Sequence, residues 1–197
     1  TNFAEGCYKG LISTYKIFNK INMNKVWLIT GCSTGFGRAL AKEVLAKGYR
    51  AAVAARNTND VQDIIEGYQS TAIAVKLDVT VPEQIKLAVQ ATIDQFGQID
   101  VLVNNAGVGY FAAIEESEEA EIRRMFEINF FGLAKMTQEV LPHMRKRKAG
   151  HILNITSIGG LRSFPGIGFY NATKYAVDGL SEALSKEVVP LGIKVTI

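Results

Sequence analysis

Cysteine is scarce in this sequence of 197 residues: Cys7 and Cys32 are the two present, far apart and in no metal-ligand spacing. They make no disulfide framework, and such usage fits a reducing compartment. Net charge is nearly absent too. Lys and Arg number 22 against 19 Asp and Glu, leaving +3. The basic residues are spread along the chain apart from a run at 145–148. At a helix end, that run is a solvated face suited to the dipole, not a nucleic-acid patch. No apolar run is long enough to span a bilayer, and the N-terminus lacks the apolar core of a signal peptide. Repeats and low-complexity linkers are missing. These absences lead to the expectation of a cytoplasmic protein with no membrane span and no nucleic-acid partner.

What is present suffices for one domain with a real core: 48% of residues are hydrophobic. Residues 1–22 differ from the rest. They are rich in Asn, Lys, Tyr and Gly and show no clear period, so they are expected to be a leader outside the fold, with Met23 as the natural initiator. Residues 23–197 are expected to be one domain. Short apolar runs at 26–29, 51–54, 72–77, 101–103, 151–155 and 193–197 read as buried parallel strands, covered on both faces. Helical stretches lie between them. One at 36–47 stops at Gly48, one runs from Pro82 to about Phe96, and 117–148 holds one long helix or two, with Pro142 near its end. The last, at 169–189, is closed by Pro190 and Gly192. Strands alternating with helices predict an α/β fold, a doubly wound parallel sheet in three α/β/α layers. The last apolar run reaches the end of the sequence, so the domain is expected to be C-terminally incomplete, truncated at its sixth strand.

Residues 30–37, TGCSTGFG, join the first strand to the first helix. Glycines let a backbone turn sharply and approach a phosphate, and a helix N-terminus supplies free N–H groups and a positive dipole end. Gly31, Ser33, Thr34, Gly35, Phe36 and Gly37 are therefore read as a pyrophosphate cradle, against the alternative of a glycine turn that only packs helix on strand. Cys32, inside the loop, reads as a small space-filler. The second strand ends at Arg56, with no acidic residue to grip a ribose 2′-hydroxyl. An arginine there suits the 2′-phosphate of NADP, which makes NADP(H) the favoured cofactor and NAD(H) the alternative. Asp78 and Val79, in LDVT after the third strand, are read as cofactor-binding. Asp78 either accepts from the adenine amino group or caps a turn.

Tyr170 and Lys174 are four residues apart in a helical stretch, on one face. A free tyrosine has a pKa of about 10. A nearby ammonium favours the phenolate, and a shift of roughly three units needs about 4 kcal/mol, within reach of a close, partly desolvated charge. Such a pair can move a proton to or from a substrate oxygen. Ser157 follows the fifth strand, where ligands bind in doubly wound sheets. It can hydrogen-bond a substrate carbonyl or cap a turn before Gly159 and Gly160. His143 and His151 lie at a helix end and a strand start and read as structural or exposed.

Together these residues resemble the short-chain dehydrogenase/reductase family. The matching features are TGCSTGFG at 30–37, NNAG at 104–107, Asn129 in INFFG, Ser157 in ITSIGG and YNATK at 170–174, in the family's order and spacing. The resemblance covers 24–197. It implies a Rossmann fold and an alcohol dehydrogenase or carbonyl reductase acting by direct hydride transfer. It further implies Tyr170 as general acid and base, and Lys174 as the group that binds the nicotinamide ribose and acts on the tyrosine. Ser157 would polarise the carbonyl, and Asn129 would hold a relay water. Asn104, Asn105, Ala106 and Gly107 would border the cofactor and steady the central sheet. The substrate is expected to be a small, apolar carbonyl compound or alcohol. Contacts through 117–147 and 169–189 are expected to build a homodimer or homotetramer in the full-length protein. The sequence departs from the family by lacking the Pro-Gly segment, substrate loop and final strand past LGIKVTI, so weak cofactor binding and poor turnover are expected of this chain alone. The rival readings are a non-catalytic NAD(P)-binding module and an inactive fragment of such an enzyme.

Overall fold

The computed structural model describes residues 24–197; the expected leader lies outside the described residues. Six strands, β1 (Val26–Ile29), β2 (Arg50–Ala55), β3 (Ala72–Lys76), β4 (Val101–Asn104), β5 (Gly150–Asn154) and β6 (Ile193–Thr196), form one sheet in the order β3-β2-β1-β4-β5-β6. Every pairing is parallel. The strands begin in the middle of the sheet with β1, build outward to β3, then return to β4 on the other side of β1. That reversal opens a crevice at the carboxyl ends of β1 and β4.

Alternation along the strands sorts the core into two layers. Leu28, Ala52, Ala54, Leu102 and Ile152 point to one face. Helices α3 (Pro82–Phe96), α5 (Leu133–Arg147) and α6 (Gly168–Val188) cover it with Ile85, Val89, Met136, Val140, Met144 and Leu184. Ile29, Ala51, Val53 and Val103 point to the other, beneath α1 (Gly35–Ala46) and the short α2 (Gln62–Ile65). Both layers bury apolar surface worth about 25 cal/mol per Å². The expected strands are therefore all present, with ends displaced by one residue at most.

The helices stop where the sequence suggests. Pro82 opens α3 in its first turn, and Gly97 closes it at φ +80°, donating to Ile93 O. Gly48 follows α1 at φ +81°. The stretch expected to hold one helix or two is a continuous rod: α4 (Glu119–Phe126), a π-helical turn (Glu127–Gly132), then α5. The rod ends on Lys148 at φ +53°, the one non-glycine residue with positive φ among the described residues.

Candidate active site

Thr30, at the end of β1, organises the crevice from below. Its hydroxyl donates to Val103 O (3.2 Å) and accepts from the N–H groups of Asn105 (2.9 Å) and Ala106 (3.0 Å). The Asn105 side chain then donates to Thr30 O (2.8 Å) and Gly31 O (3.0 Å). The NNAG segment after β4 and the glycine loop after β1 are thus stitched together. Gly31 lies at φ +70°, and a Cβ on it would come within 2.9 Å of Ala106 Cα. A Cβ on Gly37 would come within 2.5 Å of Gly31 O and strike the Asn105 amide. Only glycine fits at either place.

Above this platform α1 begins. Its N-cap residue Thr34 makes no side-chain cap, and no acidic residue stands in the first turn. The orphan N–H groups and positive dipole end are left for an anion. Gly35, at φ +60°, has nothing within 4 Å of where its Cβ would be, and Phe36 is exposed. An open, uncapped helix start beside two close-packed glycines fits the pyrophosphate of a dinucleotide.

The edges of the cradle come from β2 and β3. Arg56 is exposed just past β2 and makes no ion pair among the described residues. Arg38 braces the neighbouring turn by donating to Asp60 O (2.9 Å) and pairing with Asp63. Asp78 does cap a turn: its Oδ1 accepts from Thr80 N (2.9 Å) and Thr80 Oγ1 (2.7 Å). Its second oxygen has no hydrogen bond among the described residues, so the turn cap leaves it open to a donor. Val79 packs under Gly132, where a Cβ would meet its Cγ2 at 2.8 Å. Cys32 is fully buried, and burial pushes its thiol up to about 12. That is the behaviour of a space-filler, since the thiolate is the reactive form.

Asn104 sits in a buried polar ladder between the sheet and the helices that cover one of its faces. It donates to Thr137 Oγ1 on α5 (3.1 Å) and to Asn154 Oδ1 on β5 (2.9 Å), and Asn154 donates to Ser181 on α6 (2.8 Å). Asn129 lies in the π turn and is 1% exposed. Its Oδ1 accepts from Val108 N (2.8 Å), and its Nδ2 donates to Val108 O (2.9 Å) and Thr173 Oγ1 (3.2 Å). Both amide hydrogens are spent, leaving one Oδ1 lone pair for a water. Gly107 lies against this amide.

Tyr170 and Lys174 occupy adjacent turns of α6. The ammonium lies 5.8 Å from the centroid of the Tyr170 ring and donates to Ile155 O (2.8 Å), just past β5. Burial pushes Lys174 below its ordinary value, and the carboxylate of Asp178 pulls it back up. Ser157 starts the 3₁₀ turn Ile158–Gly160 and accepts from Gly159 N (3.1 Å), so it caps while its own hydroxyl hydrogen stays free to donate. The ring edge of Tyr170 (3.4 Å) and Ser157 Oγ (3.5 Å) both approach the point where a Cβ on Gly159 would sit. The fold therefore brings Ser157, Tyr170 and Lys174 together, with Asn129 joined to them through Thr173, which donates to Tyr170 O (2.7 Å). The glycine loop and NNAG form the adjoining cradle, and Arg56 and Asp78 stand on its rim. Thr30 and Thr173 are the residues that motif reading passed over, although both lie inside the motifs. His143 lies within α5 and His151 pairs with Thr196 (2.8 Å), neither of them among these residues. No cluster of three metal-ligating residues occurs among the described residues, and no described helix is long and apolar enough to cross a membrane.

Comparison with known proteins agrees with this geometry. Residues 25–197 match the family described as short chain dehydrogenase. A 3-ketodihydrosphingosine reductase of Bacteroides thetaiotaomicron is 41% identical over 87% of this chain and 61% of its own length. The crystal structure of a short-chain dehydrogenase from Streptomyces avermitilis superposes with a TM-score of 0.85 at 46% identity, over 88% of this chain and 64% of that one. A 3-ketoacyl-(acyl-carrier-protein) reductase from Brucella melitensis, complexed with NADH, gives 0.82 at 34% identity, over 86% and 72%. The chain spans 61% of the length of the first of these relatives and 64% of the second. The sheet order, the cradle at its switch point and the match over 25–197 make this chain a member of the short-chain dehydrogenase family of oxidoreductases.

Proposed function

We propose that residues 23–197 form the catalytic domain of an NADP(H)-dependent oxidoreductase that interconverts a ketone or aldehyde with an alcohol. The observation that carries this reading is the convergence of Ser157, Tyr170 and Lys174 beside an uncapped helix start at the switch point of the sheet. The nicotinamide cofactor supplies the hydride when bound. The rest falls to the chain. The free hydroxyl hydrogen of Ser157 orients and polarises the carbonyl oxygen. Tyr170 gives that oxygen a proton on reduction and takes it back on oxidation. The Lys174 ammonium stabilises negative charge developing on the phenol oxygen and offers donors to the cofactor ribose. Asn129 anchors Val108 and Thr173 and keeps one lone pair for a relay water. Gly31, Ser33, Thr34, Gly35, Phe36 and Gly37 receive the pyrophosphate. Asp78 and Val79 border the adenine, and Asn104, Asn105, Ala106 and Gly107 border the nicotinamide half.

An apolar substrate is favoured by the exposed side chains of Phe111 and Ile114 after β4, and of Ile158, Leu161 and Phe164 after β5. Two of the similar proteins are named as reductases of 3-keto compounds, in keeping with carbonyl reduction. This reading includes a cytoplasmic location and a homodimer or homotetramer, for which exposed Phe131 and Tyr175 offer apolar contact.

Arg56 carries the preference for NADP(H). Replacing it with Ala is expected to raise KM for NADPH by about tenfold, ~1.4 kcal/mol, and to leave KM for NADH nearly unchanged. Steady-state kinetics of the whole protein with both cofactors check this. A wild-type protein that prefers NADH, like the cofactor found in the Brucella structure, contradicts it and favours NAD(H).

A further inference from the structure

Tyr170, Lys174 and Asp178 follow one another at intervals of four on α6, which places them along one stripe of the helix. The first two have roles in the proposed reaction and the third has none. Yet both carboxylate oxygens of Asp178 are covered from solvent, and neither has a hydrogen-bond partner among the described residues. An uncompensated buried carboxylate is strongly unfavourable. Lys174, one turn earlier, is 7% exposed and uses one of its three N–H groups, on Ile155 O. Unspent donors and unspent acceptors thus lie one turn apart without a direct ion pair.

The Asp178 side chain also lies against the turn that follows Ser157. A Cβ on Gly160 would come within 2.9 Å of both Asp178 Cγ and Thr156 Oγ1. The Thr156 hydroxyl is likewise buried without a partner among the described residues. Gly160 leaves room for the carboxylate at this spot.

We propose that Asp178 is a positioning residue for the Tyr170–Lys174 pair: the buried counter-charge of Lys174, seated on Gly160 so that it also fixes the turn bearing Ser157. The proposal rests on reading Tyr170 and Lys174 as the catalytic pair. Other charged residues stand on the elements packed against α6. Glu127 of the π turn and Lys194 of β6 are exposed, and Glu119–Arg123 and Glu121–Arg124 of α4 pair with each other. The charge that acts on Lys174 is instead that of Asp178, on its own helix.

The test is an NMR titration of the whole protein carrying isotope-labelled lysine, with the Lys174 signal assigned by its loss in Lys174→Arg. Asp178→Asn is expected to lower the midpoint of Lys174 deprotonation by about one pH unit. The alkaline limb of the kcat profile should move the same way. Asp178→Glu, which keeps the charge, should hold the midpoint near the wild-type value. If Asp178→Asn does not fold, the smaller and equally uncharged Asp178→Ser makes the same comparison. An unchanged midpoint in a folded neutral variant overturns the proposal. So does an Asp178→Glu midpoint that falls as far as that of the neutral variant. Absence of turnover with any carbonyl compound would instead refute the oxidoreductase reading, and the titration would still decide whether Asp178 is the counter-charge.

Discussion

Tyr170→Phe is expected to lower kcat for carbonyl reduction at least about a thousandfold, because the proton donor is removed while its ring remains. The substitution leaves the neighbourhood intact. The ring edge beside Gly159 stays, as does the backbone carbonyl that accepts from Thr173. The glycine cradle lies on other elements. Stability should therefore change by no more than about 0.5 kcal/mol, and NADPH affinity by a fluorescence titration should stay within about threefold, since the phenol oxygen reacts with substrate rather than cofactor. Lost turnover together with lost cofactor binding would point to a damaged fold. Retention of kcat within tenfold of wild type would remove Tyr170 from the mechanism.

Gly37→Ala is the substitution expected to hurt the cradle most. Its new methyl would lie within 2.5 Å of Gly31 O, a backbone atom that cannot retreat without moving the loop. It would also displace the Asn105 amide and its bonds to Thr30 O (2.8 Å) and Gly31 O (3.0 Å). Overpacking and two lost, partly buried hydrogen bonds together should cost about 2–4 kcal/mol of stability. NADPH affinity should fall on the order of a hundredfold as the α1 start moves away from the phosphate. Gly35→Ala makes the informative contrast. Its Cβ meets nothing within 4 Å, and only the left-handed backbone at φ +60° opposes it, at about 1 kcal/mol. Thermal unfolding and cofactor titration of the two variants should separate steric from conformational cost. Equal, small effects would mean that the loop does not depend on the packing of Gly37.

The central strands β1, β2 and β4 are legible in the sequence because they are covered on both faces and read as nearly unbroken apolar runs, whereas the edge strand β6 alternates Ile193 and Val195 with exposed Lys194 and Thr196. Gln62–Ile65 is not legible, since four residues carry too little period to announce a helix. The π turn at Glu127–Gly132 has no signal either: its apolar residues suit an ordinary helix, and only the long-range anchoring of Asn129 to Val108 and Thr173 marks the place. The motifs name the residues that meet at the crevice, but not what each is bonded to. Thr30 reaches Asn105 and Ala106, 75 and 76 residues away, through a hydroxyl that a motif shows as one letter among many. Asp178 looks like an ordinary helix-surface acid until its packing against Gly160 is seen. Chemical type is local to the sequence, whereas partnership depends on the sheet order.

The most direct measurement follows a labelled hydride. The whole protein is given NADPH bearing deuterium at the transferable nicotinamide position, together with a panel of apolar ketones, and the products are analysed by mass spectrometry and NMR. The expected result is an alcohol with one deuterium on the former carbonyl carbon, formed by the wild type and not by Tyr170→Phe. A protein that binds NADPH yet forms no labelled alcohol from any ketone, and oxidises no alcohol with NADP or NAD, would contradict the catalytic assignment and leave a nucleotide-binding module.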